Sequence, residues 1–225
     1  YNKMIINKIY IIIILNILSL TILSQNKELF LEDYYFIRNI NSDRTTDYSD
    51  ISGSPYLNEG FSEAVFYLND STAFRLPARY NIYTDQMEYQ HNGVSFAISD
   101  PEKINRIVFG DQVFYYIKSE KISGYFELVE NGKIKLLQKR QVEFIPEEGP
   151  KPLVGTITPA SFKKNHDSFY IMPIDSDPEK VTDIPFLIER MNDQKTKIRT
   201  FIEKEKIKRP KKENLIKIIR YYNTL

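Results

Sequence analysis

The chain predicts an α+β protein: an antiparallel β meander, as a twisted sheet or open barrel, followed by a small C-terminal helical segment. Three observations carry this. Short runs rich in Val, Ile, Tyr and Phe succeed one another from residue 61 to residue 145. Tight-turn residues separate them, which joins neighbours antiparallel. From about residue 183 the apolar spacing changes from two to three and four, the period of a helix face.

The first element is an address. Asn2-Lys3 and Lys8 flank an apolar run of 15 residues, Ile9 to Leu23, which ends at Ser24-Gln25. A basic start, an apolar middle and a small residue at the exit read as a signal peptide over residues 1–25. The run is short of the ~20 residues a membrane-spanning helix needs. Tyr1 is not an initiator residue; Met4 as the start and a trimmed chain both fit. The expected location is therefore outside the cytoplasm, periplasmic or extracellular after cleavage.

Residues 26–60 form a lead-in and loop. Leu29 to Ile40 suits a short helix or strand, and Asn41 to Gly60 is rich in turn formers. The β domain occupies 61–145. Ala64 to Leu68 leads into Asn69-Asp70-Ser71, and Ala73 to Leu76 returns before Pro77 interrupts. Arg79 to Tyr83 and Gln86 to Tyr89 flank Thr84-Asp85. Asn92-Gly93 tolerates positive φ and marks a hairpin whose second arm is Val94 to Ile98. Arg106 to Phe109 and Gln112 to Ile117 flank Gly110-Asp111. Gly124 to Val129 and Lys133 to Phe144 flank Asn131-Gly132. Seven to nine strands are expected. Residues 146–182 read as a connector with one extra strand at Ser168 to Met172, ended by Pro173.

Ser99-Asp100-Pro101-Glu102-Lys103 recurs as Ser176-Asp177-Pro178-Glu179-Lys180. The flanks do not match, so helix-start chemistry explains both copies: a capping Asp or Ser, Pro in the first turn and an early Glu.

The last segment, 183–225, is basic and helical, packed on the β domain. Ile184 to Met191 is one short helix with Pro185 in its first turn. Ile198, Phe201 and Ile202 define the apolar face of the next. After Pro210, Leu215, Ile218, Ile219 and Tyr222 share one stripe.

Charge is uneven along the chain. Residues 195–225 hold 11 basic and 3 acidic side chains, a net of +8, whereas 26–194 carries a net of −9. Such a layout fits an anionic partner, two parts of one molecule attracting each other, or lysines that simply solvate an exposed helix face. An exported protein has no nucleic acid to meet.

The chain has no Cys, which excludes a lipoprotein's covalent lipid anchor, a disulfide framework, thiolate metal sites and a Cys nucleophile. Of the two histidines, His91 falls in a hairpin turn, and His166 is followed by Asp167 and Ser168. Three adjacent residues do not converge as a triad. Asp175, Asp177 and Glu179 lack the Gly at the bend of a calcium loop, since that position is Lys180. Asp43, Asp47 and Asp50 read as a solvated loop. Strand alternation places Glu88, Glu127 and Glu143 on the solvent face, with a barrel interior as the other placement. No catalytic residue, metal ligand or cofactor-binding residue is assigned, and no cofactor is expected.

Ser54-Pro55-Tyr56-Leu57-Asn58, the run Arg79 to Glu88, Glu213 to Lys217 and Tyr221-Tyr222-Asn223 together resemble an uncharacterised family of exported Bacteroidota proteins. The resemblance spans most of the chain after residue 25. It implies an envelope or secreted location and transfers no activity. The sheet style alone resembles periplasmic lipoprotein carriers and related half-barrels that hold acyl chains. The expected function is an exported, non-catalytic binding or interaction protein of a cell envelope, meeting an envelope protein or an anionic envelope component. A periplasmic carrier of a hydrophobic ligand and a hydrolase of an envelope polymer are the alternatives.

Overall fold

The computed structural model describes residues 42–68, 72–149 and 157–225. The expected signal peptide, the expected lead-in element at 29–40, the expected turn at 69–71 and residues 150–156 of the Pro-rich stretch lie outside the described residues. The strands are β1 (Ser42–Arg44), β2 (Ser62–Tyr67), β3 (Ala73–Asn81), β4 (Gln86–His91), β5 (Val94–Ile98), β6 (Arg106–Phe109) and β7 (Gln112–Lys118). They continue with β8 (Ser123–Glu130), β9 (Ile134–Lys139), β10 (Val142–Ile145), β11 (Ser161–Lys164), β12 (Ser168–Pro173) and β13 (Glu179–Lys180). Three helices follow: α1 (Ile184–Arg190), α2 (Lys195–Lys204) and α3 (Lys212–Thr224). The α+β class and the antiparallel meander are as the sequence predicts.

Eleven described strands form one open sheet in the order β1-β5-β4-β3-β2-β6-β7-β8-β9-β12-β13. The order is mirror-like. One four-stranded meander, β2 to β5, meets a second, β6 to β9, along a short antiparallel seam. That seam pairs Val65 with Val108, Phe66 with Ile107 and Tyr67 with Arg106.

Turn chemistry shapes each meander. Asn92 and Gly93 both take positive φ, 50° and 76°, as a two-residue hairpin requires. Pro77 does not break β3, which runs through it. Pairing with β4 begins only at Ala78, so Pro77 has a strand on one side alone and no ladder bond to lose on the other.

The sheet curls strongly. Tyr80 of β3 reaches Phe114 of β7 and Tyr125 of β8, with ring centroids 5.5 and 5.9 Å apart. With Phe66, Phe74, Met87 and Tyr89 these rings fill the concave face. A polar corner pins the curl. Asp85, at φ 54° in the β3–β4 turn, accepts hydrogen bonds from the Tyr80 hydroxyl at 2.6 Å, the Tyr125 backbone N–H at 3.2 Å and Lys139 Nζ at 2.7 Å. Gly124 allows this approach, because a Cβ there would overlap both the Asp85 carboxylate and the Lys139 ammonium.

The helices cover the other end of the sheet. Leu215, Ile218, Ile219 and Tyr222 of α3 pack with Ile198 and Ile202 of α2, Leu187 of α1, and Ile134, Leu136 and Ile171 of β9 and β12. These are the stripes that the helical period predicts. Asn223 then clamps the β8–β9 turn. Its side chain accepts from the Ile134 N–H and donates to the Ile134 carbonyl, each at 3.1 Å.

Three local expectations change. Lys133 to Phe144 is not one strand. The chain leaves the sheet after Lys139, and β10 pairs instead with β11 as a separate two-stranded sheet. The connector therefore contains strands β11 and β13 besides the expected β12. The two Asp-Pro-Glu-Lys copies also diverge. Pro101–Lys103 is a single 3-10 turn. Glu179–Lys180 instead extends as β13, held by the β12 ladder and by an Arg190 salt bridge to Glu179. Non-local pairing overrides the local helix-start signal there.

Candidate functional site

The site grows from β3 and β4. Arg79 and Glu88 are register partners, and Glu88 in turn sits opposite Ala97 of β5, so all three share the sheet face opposite Tyr80 and Tyr89. Alternation alone sends Glu88 to solvent, yet it is only 1% exposed. Arg79 Nε binds one carboxylate oxygen at 2.8 Å and Asn81 Nδ2 binds the other at 2.9 Å. A buried charge requires such partners. The remaining guanidinium nitrogens donate to the Tyr56 hydroxyl at 2.7 Å and the Glu59 carbonyl at 3.1 Å. The guanidinium also lies 3.6 Å over the Tyr56 ring, so the Arg79 charge is spent on the fold.

What buries this face is the polar stretch before β2. The Pro55 carbonyl accepts from the Ile82 and Tyr83 N–H groups, and the Leu57 N–H donates to the Tyr80 carbonyl, so residues 55–57 lengthen the ladder at the end of β3. On its far side the stretch meets β11. Ser52 and Ser161 form a parallel bridge, and the Phe162 N–H donates to the Ser52 carbonyl at 2.8 Å. Gly53, at φ 79°, passes so close to Phe162 that a Cβ would overlap the carbonyl. Tyr48, Tyr83, Phe144 and Phe162 fill the space between in mutual edge and tilted contacts. The sequence reads 41–60 as a loop or linker; in the fold it is a tethered wall.

Between that wall and the sheet lies a cavity of about 410 Å³, lined by residues 45–49, Tyr56, Glu59, Arg79 and Ser95 among others. Its lining is rich in hydroxyls: Thr45, Thr46, Tyr48, Ser49 and Ser95. The Ser49 N–H donates to Asp47 Oδ1 at 2.9 Å, and this bond holds the Asp47 carboxyl below its ordinary pKa. Burial, with the Glu88 charge behind it, pushes the Tyr56 hydroxyl up to about 12, so it stays protonated at neutral pH. The arrangement offers donors and acceptors over Tyr rings. It suits hydrogen-bonded recognition of a polar partner.

The other sequence candidates do not converge on this cavity. Glu127 is 7% exposed and therefore also departs from the solvent-face expectation. Arg140 bridges it to Asp167, and Gln112 Nε2 donates to its other oxygen at 3.3 Å. Glu143 is exposed on β10 and accepts from Asn165. His166 is exposed, while its neighbours turn elsewhere: Asp167 to Arg140, and Ser168 to Gln141 at 3.3 Å. His91 ends β4 beside Asn92, with side-chain nitrogens 3.0 Å apart. Asp43 accepts from Ser99, and Glu179 is held by Arg190. Among the described residues no three His, Asp or Glu side chains are placed to hold a metal ion together. Among the described residues, too, no helix is long and apolar enough to cross a membrane.

Sequence reasoning missed Arg79 and Tyr48. The available signal was two tyrosines, Tyr48 and Tyr56, inside an otherwise polar stretch. Compared with known proteins, the chain matches no family model, no curated protein and no solved structure.

Proposed function

We propose that this chain is an exported, non-catalytic binding protein of a bacterial cell envelope, and that the hydroxyl-lined cavity beside Tyr48 and Tyr56 receives a polar segment of an envelope protein. The supporting observation is the disposition of charge. Glu88 and Glu127, the carboxylates an enzyme would use, are each neutralised by an arginine within a hydrogen-bonded network. The open cavity beside them is lined mainly by hydroxyl groups, with Asp47 and Glu59 as its acids and Arg79 already bound to Glu88. The concave face, where a carrier would hold an acyl chain, is occupied by Phe66, Phe74, Tyr80, Phe114 and Tyr125.

The test places a photo-crosslinking residue at Thr46 and, as a control, at Glu120 in the β7–β8 turn. One envelope protein is captured from position 46, not from 120, and Tyr48→Ala removes that capture. Equal capture from both positions, capture that survives Tyr48→Ala, or lipid co-purifying in stoichiometric amount overturns the reading. So does turnover of an envelope polymer that is lost in Glu127→Gln.

A further inference from the structure

The turn between α2 and α3 presents a dense group of cations. Lys204, Lys206, Lys208, Arg209 and Lys211 are all exposed, and none forms an ion pair among the described residues. Their neighbours differ. Lys195 is paired with Glu189, Lys217 with Glu205, and Arg220 with Glu130. Lys212 turns inward to Gln138 Oε1 at 2.7 Å. Lys197 and Arg199, on the outer face of α2, are exposed and form no ion pair among the described residues either, so what marks the tip is the density of its free cations, five within eight residues. Glu203, Glu205 and Glu213 are the exposed acids beside it, and Glu205 is taken by Lys217.

The turn is ordered by its own bonds. The Ile207 N–H donates to the Ile202 carbonyl at 3.0 Å and the Lys206 N–H to the Glu203 carbonyl at 3.1 Å, the paired bonds of a Schellman helix end. Ile207 is buried, as that motif's apolar contact requires. Asn214 Nδ2 ties down the Arg209 carbonyl at 3.0 Å. Lys206 itself holds φ 53°, the position where glycine is usual. A lysine here gives up backbone ease and adds a charge at the tip.

We infer that this tip docks the protein, by charge alone, onto an anionic phospholipid surface. The chemistry favours a flat lipid surface over a nucleic-acid strand. Residues 203–214 contain no aromatic side chain on which bases would stack. Nor does the tip offer an exposed apolar side chain to insert, since Ile207 faces inward. Polybasic segments of this kind gain affinity from each lysine and lose it within a Debye length or in salt. The inference is independent of the cavity and its partner.

The test is co-sedimentation of the full chain with vesicles of phosphatidylglycerol and phosphatidylcholine, against phosphatidylcholine alone. Apolar residues 9–23 partition into both, so the ratio between the two vesicles is the readout. Binding favours the anionic vesicles and falls steeply between 0.05 and 0.5 M salt. The variant Lys206→Gln/Lys208→Gln/Lys211→Gln lowers the anionic partition on the order of 100-fold, from roughly fivefold per lysine. Lys206→Gly lowers it roughly fivefold while raising the thermal midpoint, so misfolding does not account for the loss. A vesicle ratio of one, an unchanged ratio in the triple variant, or displacement by duplex DNA at equal charge concentration overturns the inference.

Discussion

Asp85 is the single side chain whose loss should open the curled sheet, and Asp85→Ala tests that role. Three donors converge on it: the Tyr80 hydroxyl, the Tyr125 N–H and Lys139 Nζ. Tyr80 is 3% exposed, so its hydroxyl is left unsatisfied at a cost of about 1–3 kcal/mol. The Tyr125 N–H adds about 1 kcal/mol. The Lys139 pair is partly solvated, at 18% and 28% exposure, and its share is held to about 1 kcal/mol. Alanine at φ 54° adds a fraction more. The expected loss is about 4 kcal/mol, a large part of the ~5–15 kcal/mol that holds a domain folded. The assay is urea unfolding followed by far-UV circular dichroism and tyrosine emission, since the chain has 16 Tyr and no Trp. At ~2–3 kcal/mol/M the midpoint falls by roughly 1.3–2 M. Asp85→Asn keeps an acceptor and tolerates the left-handed backbone, so it loses about half as much. A loss below about 1 kcal/mol for Asp85→Ala, or equal losses for the two variants, would refute the corner's role.

Two further outcomes are expected. Arg79→Ala leaves Glu88 buried and uncompensated, and costs about 3–5 kcal/mol in the same urea assay; Arg79→Met with Glu88→Leu recovers most of it. A double variant as unstable as the single would show that the guanidinium matters for packing on Tyr56 rather than for charge. Alkali destabilises the fold through Tyr80 and Tyr125, whose hydroxyls burial, followed by the Asp85 charge, pushes above the ordinary tyrosine range. Their folded values are raised, so stability is intact below the unfolded value near 10 and falls as pH rises beyond it. Each contributes about 1.4 kcal/mol per pH unit, so urea midpoints drop steeply above pH 10. Midpoints that stay flat to pH 11.5 would contradict this.

What was legible in the chain was what neighbouring residues decide. Asn92-Gly93, Gly110-Asp111 and Asn131-Gly132 announce three hairpins because their backbone freedom is local, and the stripe Leu215, Ile218, Ile219, Tyr222 announces α3 because a helix is its own template. Pairings decided at a distance were not legible. β10 turns away from the sheet because β11 lies ready to pair with it. Glu88 is buried because a loop 30 residues upstream folds over it, anchored by Ser52 to the Ala160 carbonyl across a separation of 108 residues. Composition shows such a loop only as polar.

The short seam between β2 and β6 has a kinetic consequence. Within each meander, strands pair with their sequence neighbours, so each half rests on local contacts of the kind that form fast. Only three ladder pairs join β2 to β6, and the Tyr80 and Asp85 contacts across the curl form once that seam brings the halves together. Closing that seam carries the loop entropy of the intervening strands before it gains much, which makes it the natural barrier to folding. Val65→Ala should therefore slow refolding in a chevron experiment, while Ile219→Ala, in a helix that docks afterwards, should chiefly speed unfolding. Equal slowing of refolding by both would place the helices in the nucleus instead.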